Sequence, residues 1–233
     1  MYGLSWAIFY HFRGKLPEAK MSVEAPRLIS KSRLEALTDG VFAVVMTILV
    51  FQLGGSAISS AETATQLEAA LLAQWPTFVS YAISFLVVGL YWVSHHTYFA
   101  FIQDVNETQL WLNLLFLFFL SFIPFAADLV GDHPDFRAGA MLYGLDLTAC
   151  TGALYLNWQY AWNRGQVSVK DSDVVVMERF RGRTRRAAVA YLLATGVAWF
   201  SPITGFYLYI AVALVFAFRQ IRTKAMERVL RHT

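Results

Sequence analysis

The sequence predicts an all-α, polytopic membrane protein with six transmembrane helices, and three observations lead to this fold class. Hydrophobic residues make up 57% of the 233 residues and charged residues only 15%, whereas soluble domains carry about a quarter charged residues. The mean hydropathy is +0.47. Six apolar segments interrupt the polar sequence, and a helix needs about 20 apolar residues to cross a bilayer. This composition excludes a disordered chain, and the single cysteine, Cys150, excludes a disulfide scaffold.

The six predicted spans follow one another along the chain. The first four cover residues 33–53, 75–99, 108–130 and 137–162, and each is long enough for a full crossing. The fifth and sixth, 187–200 and 203–218, are shorter, and Ser201-Pro202 separates them. Together they are too long for one crossing, so we expect a tilted helical hairpin. The predicted connections are a tight turn at 131–134 and polar loops at 54–74 and 164–186.

The distribution of lysine and arginine predicts the orientation. If the N-terminus is cytoplasmic, 18 of the 19 basic residues fall on the cytoplasmic side and only Arg137 lies outside. An odd number of spans would destroy this partition. We therefore expect both termini in the cytoplasm, with an N-terminal cytoplasmic or interfacial segment at 1–30, a six-helix domain at 31–219 and a cytoplasmic basic tail at 220–233.

The first 30 residues leave two alternatives open. Residues 4–12 are apolar and aromatic and precede Arg13 and Lys15, whereas a signal peptide carries its charge before the apolar run. The segment is therefore either an interfacial helix or an extended start upstream of Met21, with Met21 as the true initiator.

Polar side chains inside the predicted spans are candidate functional residues because they are costly in lipid. Asp39 lies six residues into the first span, and the second and third spans bring further polar side chains to the same depth. The simplest way to satisfy them is a polar network that joins the first three spans at the cytoplasmic side. Its predicted members are Arg33, Thr38, Asp39, Asn113 and either His95 or His96. We interpret this network as structural rather than ion-binding.

The sequence gives little indication of a cofactor-binding site or a catalytic site. His95 and His96 are adjacent on one helix and point in different directions, so they cannot hold a haem from two sides. Catalytic pairs, metal-binding motifs and phosphate-binding loops are not recognisable. We therefore predict no cofactor, no metal site and no enzymatic activity. A net charge of only +3, with basic residues flanking the spans, argues against nucleic-acid binding.

Asp146 lies near the middle of the fourth predicted span. A carboxyl group at this depth has two interpretations. It is either a proton-binding site of a transporter or a side chain that a neighbouring tyrosine or threonine satisfies by hydrogen bonding, and we favour the second interpretation.

Val44, Thr47, Ile48 and Phe51 form a stripe on the first predicted helix. They lie at positions i, i+3, i+4 and i+7 and therefore share one face. The stripe carries one hydroxyl and otherwise bulky apolar groups. Such a stripe usually packs against a neighbouring element, and less often it forms a hydrophobic constriction in a pore.

Three motifs of this chain are similar to those of a known family. Residues 33–43, RLEALTDGVFA, resemble the RxxxFSD signature that opens the first helix of the lysosomal potassium channel family, transmembrane protein 175, and its prokaryotic relatives. Residues 91–99, YWVSHHTYF, resemble the second-helix motif of that family. WLNLLF at 111–116, with Pro124-Phe125, resembles its third helix.

The resemblance implies a potassium-permeable, leak-type cation channel with passive flux and without a TVGYG filter. Prokaryotic members of the family have six helices per chain and assemble as homotetramers around a pore lined by the first helix of each subunit. Carried over to this chain, the pore-lining and selectivity residues are Val44, Thr47, Ile48 and Phe51, and Trp92 joins the structural network. The expected localisation is a prokaryotic plasma membrane. The expected partners are further copies of the chain, the lipid bilayer and potassium ions.

The chain departs from the family pattern in two places. Leu37-Thr38 replaces Phe-Ser, which keeps the hydroxyl and loses an aromatic ring. Val44 stands where the family often has Ile or Leu, and a smaller side chain would widen the constriction. The alternative function is a proton-coupled secondary transporter that uses Asp39 or Asp146. Such transporters usually show broken helices and an internal repeat, and neither is visible in this sequence.

Overall fold

The computed structural model describes residues 30–54, 56–168 and 171–231, and these residues are almost entirely helical. The predicted all-α class is therefore confirmed, while the segment predicted as an interfacial helix or an extended start lies outside the described residues. The helices are α1 (Lys31–Ile48, continued by a 3-10 turn over Leu49–Leu53), α2 (Ser56–Ser59), α3 (Ala64–Ala73), α4 (Trp75–Phe99), α5 (Glu107–Asp132), α6 (Arg137–Asn163), α7 (Asp171–Ala198) and α8 (Pro202–Arg231). An isolated backbone bridge between Ile102 and Val167 joins the α4–α5 and α6–α7 connections.

Four segments of the described chain are long and apolar enough to cross a membrane. They are Lys31–Leu53, Trp75–Phe99, Glu107–Asp132 and Pro202–Arg219, which correspond to the first, second, third and sixth predicted spans. The helices α6 and α7 are less apolar, so the prediction of six spans is confirmed only in part. The helix α7 is less apolar because its N-terminal part is charged. Only its last residues, 187–198, form an uncharged segment.

Several predicted element bounds agree with the structure, and two predicted loops are wrong. The helix α4 coincides with the second predicted span, and the first, third and fourth spans agree within two residues. The predicted loop at 54–74 contains α2 and α3, the predicted loop at 164–186 is helical from Asp171 onwards, and α8 continues through the predicted tail to Arg231. Hydropathy measures whether a segment is apolar enough for lipid and does not detect helices that lie in water. Arginine, glutamate and methionine favour such helices, so polar segments predicted as loops can be helical.

A capping box explains the start of α3 inside the predicted loop. Thr63 Oγ1 accepts a hydrogen bond from the backbone nitrogen of Gln66 at 3.2 Å, and Gln66 Oε1 accepts one from the backbone nitrogen of Thr63 at 3.1 Å. This reciprocal pair satisfies two donors that a helix start otherwise leaves unpaired. The Thr-x-x-Gln pattern was available in the sequence as a signal for this helix.

The helix α6 lies at the centre of the bundle, where it packs against α5, α7, α8 and α4. Its polar side chains bond to its neighbours. Tyr143 Oη lies 2.9 Å from Ser84 Oγ of α4, and Thr151 Oγ1 lies 2.6 Å from Tyr91 Oη. A helix that meets protein on most of its faces needs less lipid-compatible surface, which accounts for the lower hydropathy of the fourth predicted span.

Gly144 marks a close approach of α6 to α7 and α8. A methyl group at its Cβ position would overlap Tyr209 Oη and Thr195 Oγ1. The Tyr209 ring is held in place because its hydroxyl donates to the backbone oxygen of Ala140 at 3.1 Å. We expect Gly144→Ala to destabilise the protein by about 1–3 kcal/mol, the usual cost of overpacking a core, as measured by thermal unfolding in detergent. Gly152→Ala is the control, because nothing lies within 4 Å of its Cβ position, and equal losses in both variants would contradict the prediction.

Candidate functional site

One face of α1 is packed against the rest of the chain and the opposite face is bare. Of the stripe residues, Val44 is 54% exposed, Ile48 44% and Phe51 79%, and Thr47 is exposed with them. The buried face carries Leu34, Thr38, Phe42 and Val45, followed by Leu49 in the 3-10 turn. Within one chain the stripe therefore does not serve core packing.

The bare face of α1 forms one wall of an open apolar groove of about 880 Å³. The other wall belongs to α5, which contributes Pro124, Phe125 and Asp128. Gln52, just after the stripe, ties the two walls together, since its Nε2 donates to the backbone oxygen of Pro124 at 2.8 Å. Because the groove is open, the stripe residues Val44, Ile48 and Phe51 are accessible from outside the chain.

Thr47 presents a hydrogen-bond acceptor on the bare face. Its hydroxyl donates back to its own helix, to the backbone oxygens of Ala43 at 3.0 Å and Val44 at 2.8 Å. The hydroxyl hydrogen is therefore occupied, while the oxygen lone pairs stay available. An oxygen of this kind is a ligand that a hard cation accepts.

A buried hydrogen-bond network lies on the packed side of α1, with Asn113 of α5 at its centre. Asn113 Nδ2 donates to Thr38 Oγ1 at 2.8 Å, and Asn113 Oδ1 lies 2.9 Å from His95 Nε2 of α4. Thr38 Oγ1 in turn donates to the backbone oxygen of Leu34 at 2.8 Å. The side chains of Thr38, His95 and Asn113 are at most 3% exposed. The network therefore joins α1, α4 and α5 away from solvent.

The bonds of this network run in one direction. Gln109 Nε2 donates to Asn157 Oδ1, and Asn157 Nδ2 donates to Asn113 Oδ1 at 3.3 Å. Because Asn113 Nδ2 donates to Thr38, its oxygen faces His95 as an acceptor, and His95 Nε2 carries the hydrogen between them. Gln109 and Asn157 extend the network to α6 and were missed by sequence reasoning. Their signal was an amide side chain inside or beside an apolar span.

The other predicted network residues lie at the surface. Trp92 Nε1 donates to Asp39 Oδ1 at 3.0 Å, and the His96 ring stacks on Trp92 with ring centroids 5.6 Å apart. All three side chains are exposed, as is Arg33. Within the described part of the chain, no hydrogen bond or ion pair joins Arg33 to Asp39. The structure thus places His95 in the buried network and separates from it an exposed pair, Trp92 and Asp39.

Asp146 is a buried carboxyl that the network leaves out. It is 5% exposed, and neither of its oxygens has a hydrogen-bond partner among the described residues. The favoured interpretation, a bond from a neighbouring tyrosine or threonine, is not what the structure has, because Tyr91 and Tyr143 direct their hydroxyls to Thr151 and Ser84. No group of three or more His, Cys, Asp or Glu side chains that could hold a metal occurs among the residues described.

Apolar helices of membrane-spanning length, joined by a buried polar network, define a multi-pass membrane protein. The family model for the endosomal/lysosomal potassium channel TMEM175 matches residues 33–124, which contain α1, α4, most of α5 and the network residues Thr38, His95 and Asn113. The chain belongs to the TMEM175 family, as predicted.

Full-length relatives and a solved structure extend this match beyond the first three spans. A potassium channel of Streptomyces collinus is 29% identical over 199 residues, which cover 84% of this chain and 95% of the relative. A potassium channel of a Chryseobacterium species is 30% identical over 203 residues, which cover 87% and 99%. The crystal structure of a lysosomal potassium-selective channel TMEM175 homolog from Chamaesiphon minutus superposes with a TM-score of 0.70 at 25% identity, covering 81% of this chain and 97% of that one.

Proposed function

We propose that this protein is a potassium-permeable, leak-type cation channel, in which α1 from each of four identical subunits lines a central pore. The observation that carries the proposal is the bare face of α1, where Val44, Ile48 and Phe51 are all exposed on a helix whose other face is packed. Large apolar side chains left open on a subunit mark an association surface or a ligand path. The full-length bacterial relatives, named potassium channels, supply the ion.

In this proposal the stripe performs two tasks. Val44, Ile48 and Phe51 set the radius of the pore and control its hydration, as hydrophobic constrictions do. Thr47 offers acceptor oxygens between them, since its hydroxyl hydrogen is occupied by the backbone of α1. Flux is passive and needs no TVGYG filter, and potassium is the permeant ion.

The buried network acts as support in this arrangement. It holds α1 against α4 and α5 by its packed side, so that the opposite side keeps a fixed position. The distribution of basic residues favours both termini in the cytoplasm, and the bacterial potassium channel relatives favour the plasma membrane.

Ion flux through the purified protein in liposomes tests the proposal. We expect electrogenic potassium flux down a potassium gradient, without a proton gradient and faster than sodium flux. Empty liposomes and the Gly152→Ala variant, which alters a helix position with open space around it, serve as controls. Flux that appears only with an imposed proton gradient would contradict the channel.

A proton-coupled secondary transporter is the second candidate, and Asp146 is the observation that favours it. A carboxyl group buried without a hydrogen-bond partner is unusual in a protein core and is typical of proton-binding sites in membranes. Asp146→Asn separates the two functions. A channel keeps its potassium flux in this variant, whereas a transporter that binds its proton at Asp146 loses proton coupling.

A further inference from the structure

The middle of α7, at residues 179–186, concentrates positive charge directly before an uncharged segment. It carries Arg179, Arg181, Arg183, Arg185 and Arg186. From Ala187 the helix is uncharged to Ala198, with Leu192 and Leu193 54% and 67% exposed. An amphipathic junction of this kind lies at the level of lipid headgroups. The exposed arginines Arg179, Arg185 and Arg186 therefore meet the membrane surface rather than bulk water.

Two of these arginines line a small polar pocket between α6 and α7. The pocket has a volume of about 240 Å³ and is lined by Tyr155 and by Glu178, Arg181, Gly182 and Arg185. Arg181 and Arg185 are four residues apart, so they share one face of α7. Gly182 lies between them and adds no side chain, and a Cβ atom there would meet Arg186 only at an ordinary contact distance of 3.5 Å. The pocket is open because of this glycine.

The charged side chains of the pocket do not pair with one another, which leaves them available to a ligand. The described residues include no ion pair between Glu178 and either arginine. The Arg181 guanidinium lies 5.9 Å from the Trp162 ring centroid, a cation–π distance that holds it in place. Trp162 is itself the residue type that marks membrane interfaces. Arg183 differs from the pocket arginines, since it lies over the Phe180 ring at 5.0 Å and lines a different cavity.

We propose that this pocket binds the headgroup of an anionic glycerophospholipid such as phosphatidylglycerol. Guanidinium groups bind phosphate oxygens through paired hydrogen bonds, and two of them on one helix face match a phosphodiester. The carboxylate of Glu178 accepts hydrogen bonds from the hydroxyls of the headgroup, which a bare phosphate lacks. The acyl chains of the same lipid lie along the exposed apolar face of residues 189–197. This proposal does not depend on ion conduction.

Native mass spectrometry of the protein from bilayers with equal amounts of phosphatidylglycerol and phosphatidylcholine tests the site. We expect the wild type to retain phosphatidylglycerol, and Arg181→Gln/Arg185→Gln to weaken that retention by roughly 30-fold. The matched control is Arg164→Gln/Arg179→Gln, which removes the same charge from exposed arginines of the same region that do not line the pocket. Equal losses in both double variants, or no loss in either, would overturn the site.

A second variant tests the pocket without changing charge. Gly182→Leu fills the space between Arg181 and Arg185, and we expect it to weaken phosphatidylglycerol retention while total charge stays the same. This variant keeps the proposal testable if the double arginine variant does not fold. Displacement of the lipid by inorganic phosphate or by soluble glycerophosphate would assign the pocket to a free phosphate and overturn the lipid.

Discussion

Ile48→Asn is expected to raise potassium flux roughly tenfold and to bring the potassium-to-sodium flux ratio close to one. Ile48 is 44% exposed on the bare face of α1, in the middle of the stripe. If four copies of it surround a pore, their apolar surface resists hydration, and an amide in the same place holds water. A barrier lowered by about 1.4 kcal/mol corresponds to the tenfold change. The measurement is flux in liposomes with potassium and sodium gradients in parallel.

The matched control for Ile48→Asn is Val50→Asn. Val50 is 48% exposed, so it is as accessible as Ile48, but it lies two residues further along in the 3-10 turn, about 120° away around the helix axis. We expect Val50→Asn to leave the flux ratio unchanged. If the Ile48→Asn protein folds and has the wild-type potassium flux and potassium-to-sodium flux ratio, the stripe does not line the pore.

Asn113→Leu is expected to destabilise the subunit by about 2–4 kcal/mol. The substitution leaves the buried groups of Thr38, His95 and Asn157 without their shared partner. Each orphaned buried group costs about 1–3 kcal/mol, although hydrogen bonds in membrane proteins average less, about 0.6 kcal/mol. The measurement is thermal unfolding in detergent, followed by size-exclusion chromatography to detect loss of assembly.

Asn163→Leu serves as the control for Asn113→Leu. Asn163 is exposed at the end of α6 and accepts a single hydrogen bond, from Gln159 Nε2 at 2.7 Å. Surface changes of this kind stay within about 0.5 kcal/mol. If Asn113→Leu is as stable as Asn163→Leu, the buried network does not hold the first helix in place.

The spans of this protein could be predicted where the apolar segment and the helix cover the same residues. The helix α4 was predicted to the residue, because Trp75–Phe99 is a 25-residue segment without Asp, Glu, Lys or Arg that starts directly after Gln74. The start of α7 was missed, because its first half is charged and a helix of that composition is indistinguishable from a polar loop by hydropathy. The helix α6 was predicted because its segment is long enough to cross a membrane. Its hydrogen bonds to Ser84 and Tyr91 were not predictable, because they depend on the packing of segments distant in sequence.

The level of the polar network in the membrane was predictable from the sequence, but the residues that belong to it were predictable only in part. Counting residues from the span ends places Thr38, Asp39, His95, His96 and Asn113 at one level. Rotation about each helix axis then decides which of them face the core, and the packing of the whole bundle sets that rotation. Adjacent residues therefore separate, with Thr38 and His95 buried while Asp39 and His96 are exposed.

The inward-directed hydroxyl hydrogen of Thr47 has a consequence for chloride. Because that hydrogen is held by the oxygens of Ala43 and Val44, the stripe offers an approaching ion no donor, only lone pairs and hydrocarbon. An anion needs donors to replace its hydration shell, so it finds none along this surface. The proposed pore would then favour cations over anions without a fixed carboxylate. This preference would persist at high salt, where screening abolishes long-range electrostatic attraction.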